Sequence, residues 1–206
     1  MIDEGYIKFQ SSWKRAPAPP AAAVTELNRW RQKLYGAGLI GYYEKEGVGF
    51  GNLSMRYGKP GEFIISGTQT GHLPVLDENH YVLVTDHDID KNLVVCEGPV
   101  EASSESLTHA ILYDLDSKIQ SVVHVHSPDL WQALINKVPT TPVDVAYGTP
   151  EMAEAFAALY RDTAFAAEGI AVMAGHDDGL ISVGRSVAEA GDRILKALQS
   201  MRKARS

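Results

Sequence analysis

The chain has 206 residues, 45% of them hydrophobic and 22% charged, the make-up of an ordinary globular protein with room for one sizeable α/β domain. Its formal net charge is −7 with no accompanying basic run, so nucleic acid is not an expected partner, and no apolar stretch exceeds strand length, so no membrane partner is expected either. The single cysteine, Cys96, excludes an intrachain disulfide and, with a Met1-Ile2-Asp3-Glu4 start that lacks the basic-then-apolar order of a signal peptide, points to the cytoplasm.

Residues 1–20 read as an N-terminal arm and 21–206 as the domain. In the arm, the alternation around Tyr6-Ile7-Lys8-Phe9 suggests an edge strand, and Ala16-Pro17-Ala18-Pro19-Pro20 a stiff linker. Leu27, Trp30 and Leu34 recur at helical spacing, predicting a helix over 24–39 with Thr25 as its cap and the Gly36/Gly38 pair as its stop. Strand-like runs follow at 51–57, 62–66, 81–85 and 93–96, separated by Gly, Pro, Asn and Asp. Within the last of these, Cys96 reads as a buried thiol rather than a nucleophile. A helix over 103–115 opens on Ser103-Ser104-Glu105, good N-terminal chemistry. A strand over 120–126 precedes helices starting at Ser127-Pro128 and Thr149-Pro150. Strands near 169–174 and 179–183 lead into a final helix over 186–203, with Val187, Ala190, Ile194 and Leu198 on one face. Many strands with interleaved helices predict a single α/β layer domain.

The strand Ser121-Val122-Val123-His124-Val125-His126 carries the strongest chemical signal. Side chains alternate faces along a strand, so His124 and His126 point the same way, roughly 6–7 Å apart, and can converge on one metal ion. The alternative is a pair of half-buried histidines satisfied by backbone groups. Three further clusters bear on the choice. Glu105 falls in the first turn of its predicted helix, where the dipole favours a carboxylate, and Ser103, Ser104 and the helix N–H groups can face an anion. His109 lies one turn later and reads as a hydrogen-bonded core histidine. Gly49-Phe50-Gly51-Asn52-Leu53-Ser54 and Ile65-Ser66-Gly67-Thr68-Gln69-Thr70-Gly71 can present amide and hydroxyl donors to phosphate or carboxylate oxygens. Gly175-His176-Asp177-Asp178-Gly179 offers a third imidazole, which would complete a three-histidine site with an open position for substrate.

Gly51-Asn52-Leu53-Ser54, Ser103-Ser104-Glu105, His124-Val125-His126 and the His176 segment stand in the order found in the class II aldolase/adducin family, which the chain resembles over roughly residues 25–200. The best-known members of that family are fuculose-, rhamnulose- and ribulose-phosphate enzymes. The resemblance implies an α/β/α three-layer domain around a central, mainly antiparallel mixed sheet, and a homotetramer as the common assembly. It implies His124, His126 and a later histidine as zinc ligands and Glu105 as the acid/base. Asn52, Ser103 and Ser104, with Ser66 and Gly67 of the following loop, would sit where the family holds a substrate phosphate. Tyr147, beside Gly148-Thr149-Pro150, is a candidate for the family's tyrosine that crosses a subunit boundary to protonate the aldehyde oxygen.

Two departures from the family pattern affect these expectations. The family places its third histidine directly before the glycine; here Asp178 holds that position and His176 stands earlier, so His176 is the expected ligand with Asp178 as a substitute. The family's short Ser/Thr-Gly turn is also lengthened to Ser66–Gly71. The expected activity is a zinc-dependent lyase of aldolase type, working through a metal-stabilised enediolate of a small hydroxy-carbonyl compound, with or without phosphate. The alternatives are an epimerase, dehydratase or decarboxylase on the same site, or a non-catalytic adducin-like interaction module.

Overall fold

A computed structural model describes residues 6–205; Met1–Gly5, the first part of the arm, and Ser206 at the end of the basic tail lie outside the described residues. In chain order the strand β1 (Gln10–Arg15) leads to the helix α1 (Ala21–Gly36) and a hairpin of β2 (Gly41–Tyr43) and β3 (Val48–Phe50). Then come β4 (Asn52–Arg56), β5 (Phe63–Ser66), β6 (Tyr81–Asp88) and β7 (Leu93–Gly98). The second half runs α2 (Ser106–Leu115), β8 (Ser121–His126), α3 (Pro128–Leu134), α4 (Pro150–Asp162), α5 (Phe165–Glu168), β9 (Ile170–Val172), β10 (Gly179–Gly184) and α6 (Val187–Arg205). No described helix is long and apolar enough to cross a membrane.

Eight strands form one sheet in the order β1-β7-β6-β5-β4-β8-β10-β9, while β2 and β3 pair only with each other. Every neighbouring pair in the large sheet is antiparallel except β1 with β7. Period-two alternation sends successive residues to two cores, one on each face. On one face Val122, Ile65 and Val84 meet Leu107 and Leu112 of α2, Phe156 of α4 and Phe165 of α5. On the other, Val123, Val125 and Leu180 meet Leu27 and Leu34 of α1 and Ile194 and Leu198 of α6. The result is the expected three-layer α/β/α arrangement, with β8 inside the sheet between β4 and β10 and all six of its residues buried.

The Ser-Pro and Thr-Pro signals set two helix starts as expected: Ser127 Oγ accepts from Leu130 N–H, and Thr149 Oγ1 from Met152 N–H. Three expectations need correction. Helix α1 begins at Ala21, because three alanines after Pro20 already favour helix; Thr25 lies inside it and donates to the Ala21 carbonyl at 3.1 Å rather than capping. Helix α2 begins at Ser106, because Ser103 folds into a turn whose carbonyl accepts from both the Ser106 N–H and its hydroxyl, so Glu105 is the residue before the first turn. The arm's strand is Gln10–Arg15, in register with Leu93–Gly98, and Phe9 instead buries its ring in the core. The Ala16–Pro20 segment then joins β1 to α1.

Helices α1 and α6 approach closely at Gly191, where an added Cβ would overlap the Trp30 indole. Gly191→Ala is therefore expected to cost about 1–3 kcal/mol, despite alanine's better helix propensity, because overpacking there moves a buried ring. Urea unfolding checks it; a midpoint raised by the substitution would show that the helices can part freely.

Candidate active site

Strand β8 lies between β4 and β10, with His124 opposite Asn52 on one side and Ile181 on the other. His124 and His126 share the face of Val122, below α2, and both are buried. The His124 Nδ1 lies 3.1 Å from the Leu180 carbonyl oxygen. A carbonyl can only accept, so Nδ1 carries the hydrogen and Nε2 is left with its lone pair. That Nε2 is 3.0 Å from Nε2 of His126, whose Nδ1 meets the Tyr43 hydroxyl at 3.2 Å.

The third imidazole comes from the turn between β9 and β10. That turn is closed by Gly179 N–H donating to the His176 carbonyl. The His176 ring centroid lies 5.2 Å from that of His124 and 4.7 Å from that of His126. One ring nitrogen from each of the three lies within 4.8 Å of the other two. Asp178 stands outside this trio, at φ 64° with its carbonyl accepting from Ser127 N–H. Of the two alternatives for the third position, the fold brings His176 to the pair.

This donor set fits a divalent metal. Burial first, then the neighbouring imidazoles, hold His124 and His126 well below the ordinary histidine range, so both are neutral as ligands must be. Metal–nitrogen bonds of about 2.0–2.1 Å in tetrahedral geometry set nitrogens roughly 3.3 Å apart, near the 3.0 Å of the β8 pair. Glu105, fully buried, reaches the same centre, with Oε1 3.4 Å from His176 Nε2.

The remaining candidates separate into those at the site and those behind it. Asn52, Gly67, Ser103 and Ser104 line one small cleft with Gly49, Gly51 and Thr68–Gly71. Ser66 lies outside that lining, its Oγ accepting from Leu53 N–H at 3.3 Å. Tyr147 is buried with its ring 4.2 Å from that of His176, and its hydroxyl accepts from Tyr6 N–H at 3.2 Å. Lys8 Nζ sits 3.8 Å from the centre of the Tyr147 ring, so the arm reaches the site. His109 is the core histidine expected: Nδ1 is 2.7 Å from Ser54 Oγ, and burial pushes its pKa down to about 3. Cys96 is likewise buried, which pushes its thiol pKa up.

Two site residues escaped the sequence reading. Tyr43 lies on a three-residue strand too short for any periodicity to announce. Arg31 had a signal, being a charge on the stripe of Leu27 and Leu34. A larger cleft of about 230 Å³, lined by Asp116, Tyr160, Glu189 and Arg193 among others, opens at the far end of β8 and β10. Its Tyr160 is tied to Asp116 and its Arg193 to Glu189, so those polar groups already have partners.

Residues 42–202 match the class II aldolase and adducin N-terminal domain family. No curated protein sequence matches the chain. Among solved structures, L-fuculose-1-phosphate aldolase from Thermus thermophilus is 22% identical with a TM-score of 0.63, covering 89% of this chain and 91% of its own. YgbL from Escherichia coli, described as a candidate aldolase, epimerase or decarboxylase, is 19% identical with a TM-score of 0.65, covering 88% and 87%. A sugar-phosphate aldolase from Thermotoga maritima is 15% identical with a TM-score of 0.65, covering 88% and 94%. At these identities the structural likeness speaks for the fold.

Proposed function

The chain belongs to the class II aldolase and adducin N-terminal domain family, and on that premise we propose that it is a metal-dependent carbon–carbon lyase of aldolase type, acting on a small phosphorylated hydroxy-carbonyl compound. The observation that carries this reading is the convergence of three buried imidazoles with a buried carboxylate 3.4 Å from one of them. His124, His126 and His176 hold the ion, for which zinc suits a set of three imidazoles. A bound ion would supply Lewis acidity to the substrate's carbonyl and neighbouring hydroxyl, lowering the cost of the negative charge that develops there.

The chain's own residues perform the other tasks. Glu105 takes the proton from the reacting carbon or returns it. Asn52, Gly67, Ser103 and Ser104 receive the phosphate; Asn52 pairs across the ladder with His124, so cleft and imidazoles share a wall. Ser66 supports that cleft from behind by bonding Leu53 N–H. Tyr147 takes the proton from the hydroxyl that becomes the aldehyde during cleavage and returns it to the aldehyde oxygen in the reverse addition, while its ring seats His176. Residues 21–206 form the catalytic domain and 1–20 its arm, which lends the edge strand β1 to the sheet; the assembly in this reading is a homotetramer, checked by light scattering.

The test is metal content of the purified chain, followed by aldol cleavage across a panel of sugar phosphates with metal restored. Less than about half an equivalent of metal after metal-replete expression would instead favour a non-catalytic interaction module. A second reading keeps the site and changes the reaction to epimerisation or decarboxylation. The likeness to YgbL favours it, since the same charge stabilisation serves those steps. Tyr147→Phe distinguishes the two. It removes the hydroxyl but leaves the ring on His176, so metal content and deuterium exchange at the α-carbon should stay within about threefold. Cleavage should fall at least about tenfold. Equal loss of both would remove the acid assignment.

A further inference from the structure

Arg31 is a buried cation on α1, 1% exposed. Its Nη2 donates at 3.1 Å to two consecutive carbonyls, Thr70 and Gly71. The Tyr35 ring packs 4.7 Å from the guanidinium carbon. Its Nη1 is buried with no hydrogen-bond partner, and no described carboxylate pairs with it. Burying a guanidinium without a counter-charge is costly, so the fold retains this one against a substantial penalty. The Ser103/Ser104 cleft is fronted by the loop that Arg31 grips, and none of the ten residues lining that cleft is charged.

The grip also sets the direction of the loop's amides. In a trans peptide the C=O and N–H point opposite ways, and the chain has no cis peptide among the described residues. With both carbonyls turned to Arg31, the N–H groups of Gly71 and His72 face away from it. No described residue accepts a hydrogen bond from the Thr70 or Gly71 N–H. The backbone of Gly49 passes close to the Gly71 nitrogen, so that an added Cβ at Gly49 would stand 2.9 Å from it. Gln69, at φ 58°, takes the left-handed conformation that curls successive amides into an anion-binding concavity.

We propose that Arg31 is a positioning residue that prepares the 67–71 loop for a phosphate dianion, turning its amides into the cleft and supplying the positive charge that the lining lacks. This rests on the reading of the cleft as the substrate-phosphate site of a metal-dependent enzyme. Acting through the loop, Arg31 matches an anion that reaches only the neutral donors in front of it.

The test is calorimetric titration of the zinc-loaded full chain with inorganic phosphate, comparing Arg31→Gln, Arg31→Lys and Gly49→Ala. Glutamine carries no charge and ends two bonds short of Nη2, so it removes both the charge and the grip on the two carbonyls; it should lose at least about tenfold in phosphate affinity while zinc content stays unchanged. Lysine keeps the charge but loses the planar fork and its stacking on Tyr35, so it should bind phosphate more tightly than Arg31→Gln while falling short of the parent. Gly49→Ala leaves Arg31 untouched and should weaken phosphate by crowding the Gly71 amide, which keeps the proposal testable if Arg31→Gln does not fold. Equal phosphate affinity in Arg31→Gln and the parent would leave Arg31 no part in phosphate binding and overturn the proposal, as would Arg31→Lys binding no better than Arg31→Gln, or unaltered binding in Gly49→Ala. A parent that holds zinc but takes no phosphate overturns it while leaving the metal site standing; phosphate bound by a parent that cannot hold zinc overturns the enzyme reading instead.

Discussion

Glu105→Gln is expected to retain its metal and to lose at least about 100-fold in solvent-deuterium exchange at the α-carbon of its substrate. The substitution preserves volume in a fully buried position, so the packing around α2 has little reason to change. What disappears is the capacity to accept a proton beside His176, 3.4 Å away. Exchange is the right readout because it needs only the proton step and none of the later bond-breaking. Metal content by atomic emission runs in parallel. Undiminished exchange would end the acid/base assignment, whereas loss of metal together with exchange would make Glu105 a ligand.

His124→Ala should lower bound metal from about one equivalent to less than a tenth, abolish exchange and remove most of the stabilisation the ion confers. The ligand-deleted chain should then show the same melting temperature with and without added zinc, while the parent gains several degrees. His109→Gln is the matched control. It changes another fully buried histidine, but one hydrogen-bonded to Ser54 and outside the trio, so metal should remain. Metal retained in His124→Ala would mean that His126 and His176 hold it with some other group, and the arrangement on β8 would need reassignment.

The spacing of His124 and His126 was legible because a strand imposes a strict two-residue period, although both faces of this strand are buried, Val122 lying in one core and Val123 and Val125 in the other. The layer order was legible for the same reason, since the apolar stripes of α1 and α6 and the alternation of β5, β6 and β8 point to two opposed cores. The third ligand was harder to assign. His176 and Asp178 are two residues apart in a turn, and turns carry no periodicity, so the choice depends on how Gly179 N–H closes back on the His176 carbonyl. The start of α2 was misplaced because Ser103-Ser104-Glu105 satisfies helix-start chemistry in the abstract, while the bridge between Gly67 and Ala102 holds the segment just before it in an extended course. Tyr43 and Arg31 depend on contacts across some eighty and forty residues of chain, beyond any local pattern.

The arm has a practical consequence. Tyr6 meets the Tyr147 hydroxyl, Lys8 lies over the Tyr147 ring, and that ring packs on His176, so Tyr6 and Lys8 sit two contacts from an imidazole of the trio. A truncation to residue 21 chosen as a tidy domain boundary would remove these contacts and alter the environment of the imidazole that completes the trio. Assays are best run on protein tagged at the other end, where Arg205 reaches only the surface carboxylate of Asp129.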